Sequence, residues 1–471
     1  MVRALSSAIT GVVVEQISTP RVRVAAIYLA APLVALALGR SIANAPRSKE
    51  LVLLAGLVLI VLANRAPRTA LACGLAITSY PFTREPDLPK IGIGLGMVAG
   101  VFLGLAYATK LKRVRTNSID AFVLIYALTP VFILLIEGQS VSHFTDWLAP
   151  PVLFPYIGFR LIFAERRAAD FFAPAVVAAG SVLGVIGVYE ALAGHNPFAP
   201  AVQQPLVGGV RAITFGVPLY RAGLLRASSV FGHPIAFGMV LLIPLAFALA
   251  RPGRRYALAT FAILAGEAST LSRGPWLGAV AIFLLLLRLN LRRSLAAAGI
   301  AVIAVSVGPI SKLLSSGGGT TEAHNAHYRT GLLQAAFHHA TWIGNPNANL
   351  AQAIPGFSDV TSLIATTIVR TGIVGGCELI VLAALAILSY LYARKAGSAD
   401  CRAACAALIG MLIGFVTVTL ITNMAFFFWI LLAFVSATLP AERGISTLIP
   451  PRRAPSLAHL LDEASLSRSR R

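Results

Sequence analysis

The sequence predicts an all-α integral membrane protein, a polytopic transmembrane helical bundle of about 12 to 14 spans with one long structured outer loop. Of its 471 residues, 57% are hydrophobic and 12% are charged, about half the charged fraction of a soluble domain. The apolar residues form continuous runs close to the 20 residues that a helix needs to cross a bilayer. Because these runs do not alternate with polar residues, they argue against an outer-membrane barrel.

Apolar segments that fit a membrane span follow one another along most of the chain. They lie at 24–43, 50–64, 69–80, 91–108, 119–137, 146–164, 172–194, 229–250, 256–271, 275–289, 293–310, 363–392, 403–421 and 424–440. The second and third are short and are open to being one span. Residues 1–440 are therefore predicted to form a single transmembrane domain, followed by a basic cytoplasmic tail at 441–471.

The net charge of +21 is distributed as in a membrane protein, which argues against a nucleic-acid-binding function. Lysine and arginine are concentrated in the tail and in alternate connections: Arg65 and Arg68, Lys110 to Arg115, Arg166 and Arg167, Arg251 to Arg255, Arg288 to Arg293, and Arg394 with Lys395. By the positive-inside rule these connections and both termini face the cytoplasm. The histidines, with the exception of His459, fall in or beside the opposite, outer connections.

The segment 311–362 is the longest polar interruption of the hydrophobic pattern. It contains four of the eight histidines, and it also carries Arg329 and Asp359. These histidines are His324, His327, His338 and His339. Their spacing supports a zinc site only weakly, since nothing in the sequence makes them converge. A single histidine or aspartate that acts as general base on a hydroxyl is the favoured interpretation.

Three arginines lie in the outer connection between the predicted spans 172–194 and 229–250, on the side that is normally poor in basic residues. They are Arg211, Arg221 and Arg226, and the last begins the sequence RASSVFGHP. Guanidinium groups suit phosphate, so an anionic ligand is predicted. Pairing with outer acidic residues or with lipid phosphates is the alternative. For His233, which precedes Pro234, a ligand-binding role and a role at the start of a helix remain equally open.

A second basic position is Arg273, in the corner STLSRGPW between two spans. It lies at membrane depth outside the positive-inside pattern, where an ionisable residue is by default a functional candidate. Snorkelling of its side chain to lipid headgroups is the alternative. Glu267 is a candidate partner, which would make the pair either functional or purely structural.

These motifs resemble the O-antigen ligase and O-antigen polymerase family of bacterial membrane glycosyltransferases. The resemblance is carried by RASSVFGHPIAFG at 226–238, STLSRGPWLG at 269–278, YRTGLLQAA at 328–336 with WIGNPN at 342–347, and SDVTSLIATTIVRTGIVGG at 358–376. They occur in the order that the family shows, over roughly residues 180–440. The resemblance implies an architecture like that of the GT-C membrane glycosyltransferases.

The resemblance also implies an activity. Members transfer a glycan from undecaprenyl pyrophosphate to a glycan or lipid–glycan acceptor at the outer face of the bacterial inner membrane. They do so without a metal or other cofactor, among membrane lipids and alongside polysaccharide assembly proteins. It implies that arginines bind the pyrophosphate and that a loop residue activates the acceptor. The candidate catalytic residues are Asp359, Arg273, Arg329 and His327, and the candidate pyrophosphate-binding residues are Arg211, Arg221, Arg226, Arg273 and His233.

One departure from the family bears on the acceptor. Many ligases carry a His-Asn pair at the end of the large loop, whereas this chain reads Ser358-Asp359 there. An acid at this place favours a polysaccharide polymerase over a ligase. A transporter or lipid flippase is the alternative class, although its charges are more often at the bilayer midplane. A non-catalytic assembly protein is the third class of function that fits the sequence.

Overall fold

The computed structural model of the protein is mostly helical. It describes residues 60, 62, 65–79, 95–108, 114, 116–138, 149–198, 218–221, 224–287, 321–346, 348, 354, 362–396, 398–416 and 423–439. Within these residues there are twelve α-helices: α1 Pro67–Ser79, α2 Leu95–Tyr107, α3 Ser118–Ile136, α4 Ala149–Phe163, α5 Arg166–Ala193, α6 Pro234–Leu249, α7 Arg254–Ser269, α8 Arg273–Leu286, α9 Thr321–His338, α10 Leu363–Ala396, α11 Ala399–Phe415 and α12 Asn423–Thr438.

Three of these helices, α3, α5 and α10, are long and apolar enough to cross a membrane. Large apolar side chains on their outer faces are exposed, such as Ile125 on α3, Val185 on α5 and Ile380 on α10. Exposed apolar side chains along a helix that is itself long and apolar suit contact with lipid acyl chains. The prediction of a mostly helical protein is confirmed, and three of its helices have the length and apolar composition of membrane spans. The predicted spans 24–43 and 293–310 and the tail 441–471 lie outside the described residues.

Helix α6 forms the centre of the bundle. Nearly all of its residues are buried, because α5, α7, α8, α11 and α12 surround it. A helix that is apolar all round is stable only when neighbours cover every face. At its carboxyl end Phe247 packs edge-on against Phe172 of α5 and Phe434 of α12, with ring centroids 5.6 and 5.7 Å apart.

Pairs of glycines bring several helices into backbone contact. They occur where α2 crosses α4, where α5 crosses α7, and where α8 crosses α11: Gly100 with Gly158, Gly184 with Gly266, and Gly278 with Gly410. A Cβ on Gly184 would lie 2.3 Å from the carbonyl oxygen of Ala262. Small residues at such crossings are typical of membrane helices, which associate through close packing rather than through the hydrophobic effect.

A buried ionic network holds α3, α4 and α12 together. Asp120 of α3 accepts hydrogen bonds from Arg160 at 3.0 Å, from Tyr156 at 2.5 Å and from Ser436 of α12 at 2.9 Å. Asn117, the N-cap of α3, donates to the carbonyl oxygen of Ser436 at 2.9 Å. Since the carboxylate and the guanidinium bond to each other, Arg160 can be buried and Asp120 partly buried at the end of the bundle.

The long polar segment contains a helix of its own. Helix α9 packs against α10 through an apolar cluster of Leu332, Ala336, Ile354 and Ala365. The sequence predicted one long structured outer loop over this segment, and α9 is the helix that this loop contains. The segment 311–362 is therefore structured and attached to α10 over its described part.

Helix α10 is broken at Gly372, and the segment after α9 fills the break. Gly372 has φ +69° and ψ −156°, a conformation that glycine adopts without strain. The backbone groups released by the break bond to the loop: the N–H of Ile373 donates to Thr341 O at 2.9 Å, and Asn345 donates to Val369 O at 3.0 Å. Gly344 lies so close to Gly372 N that an added Cβ would come within 2.5 Å.

Candidate functional site

Two loop corners meet at one end of α5, α6, α7 and α8. The first corner is residues 226–233, which follow a two-stranded turn, β1 Tyr220–Arg221 with β2 Leu224–Leu225. The second corner is residues 269–273, between α7 and α8. The N–H of Ala227 donates to Ser269 O at 3.0 Å. The two stretches that carry the predicted arginines are therefore joined through their backbones.

Two arginines fasten the second corner to the first. Arg226 donates from Nε to Thr270 O at 3.1 Å and from Nη2 to Ser272 Oγ at 2.9 Å. Arg221 donates from Nη1 to Leu271 O at 2.7 Å. These contacts with carbonyl and hydroxyl oxygens hold the two guanidinium groups in a fixed orientation at the second corner.

The next residue, Arg273, is the first residue of α8, and its side chain is exposed. The second corner, whose oxygen atoms accept hydrogen bonds from Arg221 and Arg226, thus also carries Arg273. Three guanidinium groups are thereby collected at one end of the bundle, and guanidinium groups suit the binding of an anion such as phosphate. Glu267, the candidate partner of Arg273, is buried, and within the described part of the chain neither of its carboxylate oxygens accepts a hydrogen bond, so a hydrogen-bonded pair with Arg273 is not seen.

Backbone strain is concentrated in the same two corners. Among the described residues only two that are not glycine have positive φ: Ser229 at 49° and Leu271 at 48°. Each such residue costs on the order of 1 kcal/mol or more, and it persists only where surrounding contacts enforce it. One lies in each corner, so both corners are held in shapes that the chain would not adopt alone.

Glu190 enforces the shape of the first corner. Its Oε1 accepts hydrogen bonds from the N–H and hydroxyl of Ser228, both at 3.1 Å, and its Oε2 accepts from Ser229 N at 2.7 Å. Asn196 donates to Ser228 Oγ and Ser229 O, each at 2.9 Å. Sequence reasoning missed Glu190. A carboxylate at the end of a long apolar span was the signal that should have drawn attention to it.

His233 closes the first corner as the N-cap of α6. Its Nδ1 accepts a hydrogen bond from Ile235 N at 3.2 Å, and Pro234 follows at the first helical position. Burial, and to a smaller extent the charge of Arg226, lowers the pKa of His233 to about 4. Of the two interpretations left open by the sequence, the role at the start of a helix is the one seen here. The neutral ring does not supply a positive charge at neutral pH.

This capping role predicts a pH effect on stability. The folded pKa of His233 is about 4, whereas that of an unfolded histidine is about 6.5. The stability supplied by the neutral ring is therefore present above pH 6.5 and is lost as the pH falls toward 4. His233→Asn keeps a cap that does not titrate, so its melting temperature should fall less than that of the wild type between pH 7 and 5. Equal slopes of melting temperature against pH would contradict the assignment.

The structure describes the other residues that the sequence predicts for the site only in part. Arg329 and His327 lie on α9, which packs against α10, and the positions of their side chains lie outside the described structure. Arg211 and Asp359 lie outside the described residues altogether. Four of the predicted residues thus lie in or beside the two corners: Arg221, Arg226, His233 and Arg273. The contribution of the long loop to the site stays a prediction.

Buried polar residues on α10 form a further group that sequence reasoning missed. Arg370 and Glu378 are each buried, and Thr129 of α3 donates a short hydrogen bond to Glu378. Their signal was present, since ionisable residues within an apolar span point to function or to a structural pair.

The comparisons add no relative to these observations. The chain matches no model of a known protein family, and no curated protein matches it significantly.

Proposed function

We propose that this protein is an integral membrane glycosyltransferase that transfers or polymerises a glycan carried on a polyprenyl pyrophosphate. A polysaccharide polymerase is favoured and a ligase is next. The observation that carries the proposal is the joining of the corners by Arg226, which collects Arg221, Arg226 and Arg273 at one end of the bundle. The sequence resemblance to O-antigen ligases and polymerases names the reaction.

The chemistry fits three arginines. When the bond between the anomeric carbon and the pyrophosphate breaks, negative charge develops on the leaving phosphate oxygen. Guanidinium groups held in place beforehand stabilise that charge without having to reorganise during the reaction. The acceptor hydroxyl attacks the anomeric carbon and gives its proton to a base, for which Asp359 and His327 are the candidates. The lipid pyrophosphate then leaves.

The orientation of the site in the membrane is part of the proposal. By the distribution of lysine and arginine, the two corners face the outside of the cytoplasmic membrane, and both termini face the cytoplasm. The exposed apolar faces of α3, α5 and α10 suit contact with lipid acyl chains. A polyprenyl chain would then approach the corners from within the bilayer.

A transporter or flippase is the second candidate, and the break in α10 favours it. Discontinuous helices with buried charges are typical of transporter binding sites, and Arg370 lies two residues before Gly372. However, the opened backbone of α10 already bonds to Thr341 and Asn345 of the same chain. Because these backbone groups already bond within the chain, a structural junction explains the break better than a substrate site does.

Deletion of the gene separates the two candidates. An enzyme at the outer face should leave a lipid-linked glycan that has crossed the membrane and then accumulates, whereas a flippase should leave the same intermediate inside. The measurement is the accessibility of that glycan, in intact spheroplasts, to an added glycosidase or lectin. Complementation with the intact gene is the control. An intermediate that is inaccessible until the membrane is broken would contradict the enzyme proposal.

A further inference from the structure

A cavity lies at the other end of the bundle, where α1 and α5 begin. Its volume is about 490 Å³, and it is lined by Arg65, Ala66, Pro67, Arg68, Thr69, Arg167 and Phe171. The residues come from two connections that the sequence assigns to the same, cytoplasmic side. The fold therefore brings two separate basic connections to one concave site.

The charge of the cavity is unbalanced. Three of its lining residues are arginines with exposed side chains, and none of the described lining residues is acidic. In the part of the chain that the structure describes, none of these three forms an ion pair. Asp170, one turn into α5, is placed 3.9 Å from Arg166 instead. Three arginines around one cavity concentrate positive charge there, and this charge favours the binding of an anion.

The cavity is separate from the two corners. Arg167 lies at the start of α5, and Glu190, which holds the first corner, lies near its end. The intervening twenty-three residues span roughly 35 Å at the helical rise per residue, close to the thickness of the hydrocarbon core of a bilayer. An anion in this cavity would therefore be bound at the opposite membrane face from the corners, independently of the proposed transfer reaction.

We propose that the cavity binds a phosphate group, either as the headgroup of an anionic lipid or as a free phosphate compound. Guanidinium groups recognise phosphate by paired charge-assisted hydrogen bonds, for which arginine is better suited than lysine. Thr69 adds a hydroxyl to the lining, and the buried ring of Phe171 adds an apolar wall.

The test compares two triple variants of the full-length protein. The first removes the cavity arginines: Arg65→Gln, Arg68→Gln and Arg167→Gln. The matched control removes three exposed charges from the same predicted face: Arg254→Gln, Arg394→Gln and Lys395→Gln. Both lower the net charge equally, so a general loss of electrostatic attraction affects them alike. Similar melting temperatures in detergent establish that both remain folded.

Binding is measured in two separate arms by titrating the purified proteins in detergent, with phosphatidic acid in one arm and inorganic pyrophosphate in the other. We expect the cavity variant to bind at least one probe about tenfold more weakly or worse than the control, as the loss of charge-assisted hydrogen bonds implies. Loss in the lipid arm alone identifies a headgroup site. Loss in the pyrophosphate arm, with or without the lipid arm, identifies a site for free phosphate compounds.

A single substitution tests the cavity by adding a negative charge instead of removing positive ones. Thr69→Glu places a carboxylate among the three arginines, and it should weaken the same probe while leaving the fold intact. Equal binding by the cavity variant and the control in both arms would overturn the proposal. Failure of the wild-type protein to bind either probe would overturn it as well.

Discussion

Replacing Arg226 with alanine is expected to reduce glycan transfer by about 10²–10³-fold, the loss typical of removing one group that stabilises developing charge. The effect should be large because Arg226 has two roles. It contributes charge to the corners, and it joins them through Thr270 O and Ser272 Oγ. Activity is measured with the purified protein in nanodiscs, as transfer from a synthetic polyprenyl-pyrophosphate oligosaccharide to a labelled acceptor.

Three matched variants separate the two roles of Arg226. Arg254→Ala, at the far end of α7 from the second corner, removes an exposed charge and should leave transfer unchanged. Arg273→Ala removes an exposed side chain, so transfer should be lost while the melting temperature stays the same. Arg226→Lys keeps the charge but not the two-branched contact, and it should recover only part of the activity. Transfer by Arg226→Ala at the level of Arg254→Ala would remove the main support for the proposed site.

The sequence predicted the helices of this fold better than their junctions. Observed α3, at Ser118–Ile136, and α5, at Arg166–Ala193, lie close to the segments predicted at 119–137 and 172–194. Spans are readable because each requires its own continuous apolar run. The break at Gly372 was not predicted, since the hydrophobic run continues through it and a single glycine is compatible with a straight helix.

The charged residues of the candidate site were predictable from the sequence, whereas the hydrogen bonds that connect them were not. Arg221, Arg226 and Arg273 were noticed because they lie on the side that normally lacks arginine. Arg221 and Arg226 donate to the backbone carbonyl oxygens of Leu271 and Thr270, groups that every residue possesses and that no sequence pattern reveals. Glu190 was overlooked for a related reason, because its partners lie thirty-eight and thirty-nine residues away in the chain.

Gly184→Ala is expected to destabilise the protein, although alanine is normally the better helix former by about 0.5–1 kcal/mol. Gly184 of α5 crosses Gly266 of α7 so closely that an added Cβ would lie 2.3 Å from Ala262 O. A backbone oxygen in a helix cannot rotate away, so the two helices must separate. We expect a net cost on the order of 1–3 kcal/mol, as for an overpacked core, seen as a lower melting temperature in detergent.

Gly376→Ala is the control, and its expected effect on the melting temperature has the opposite sign to that of Gly184→Ala. Gly376 is also inside a long apolar helix, α10, but a Cβ there would meet only Ile368 Cγ1, at 3.9 Å. Its replacement should raise the melting temperature, as helix propensity alone requires. Because α5 carries Glu190 and α7 leads into the second corner, Gly184→Ala should also lower transfer activity. A rise in melting temperature for both variants would show that the α5–α7 crossing tolerates a methyl group and does not fix the distance between the corners.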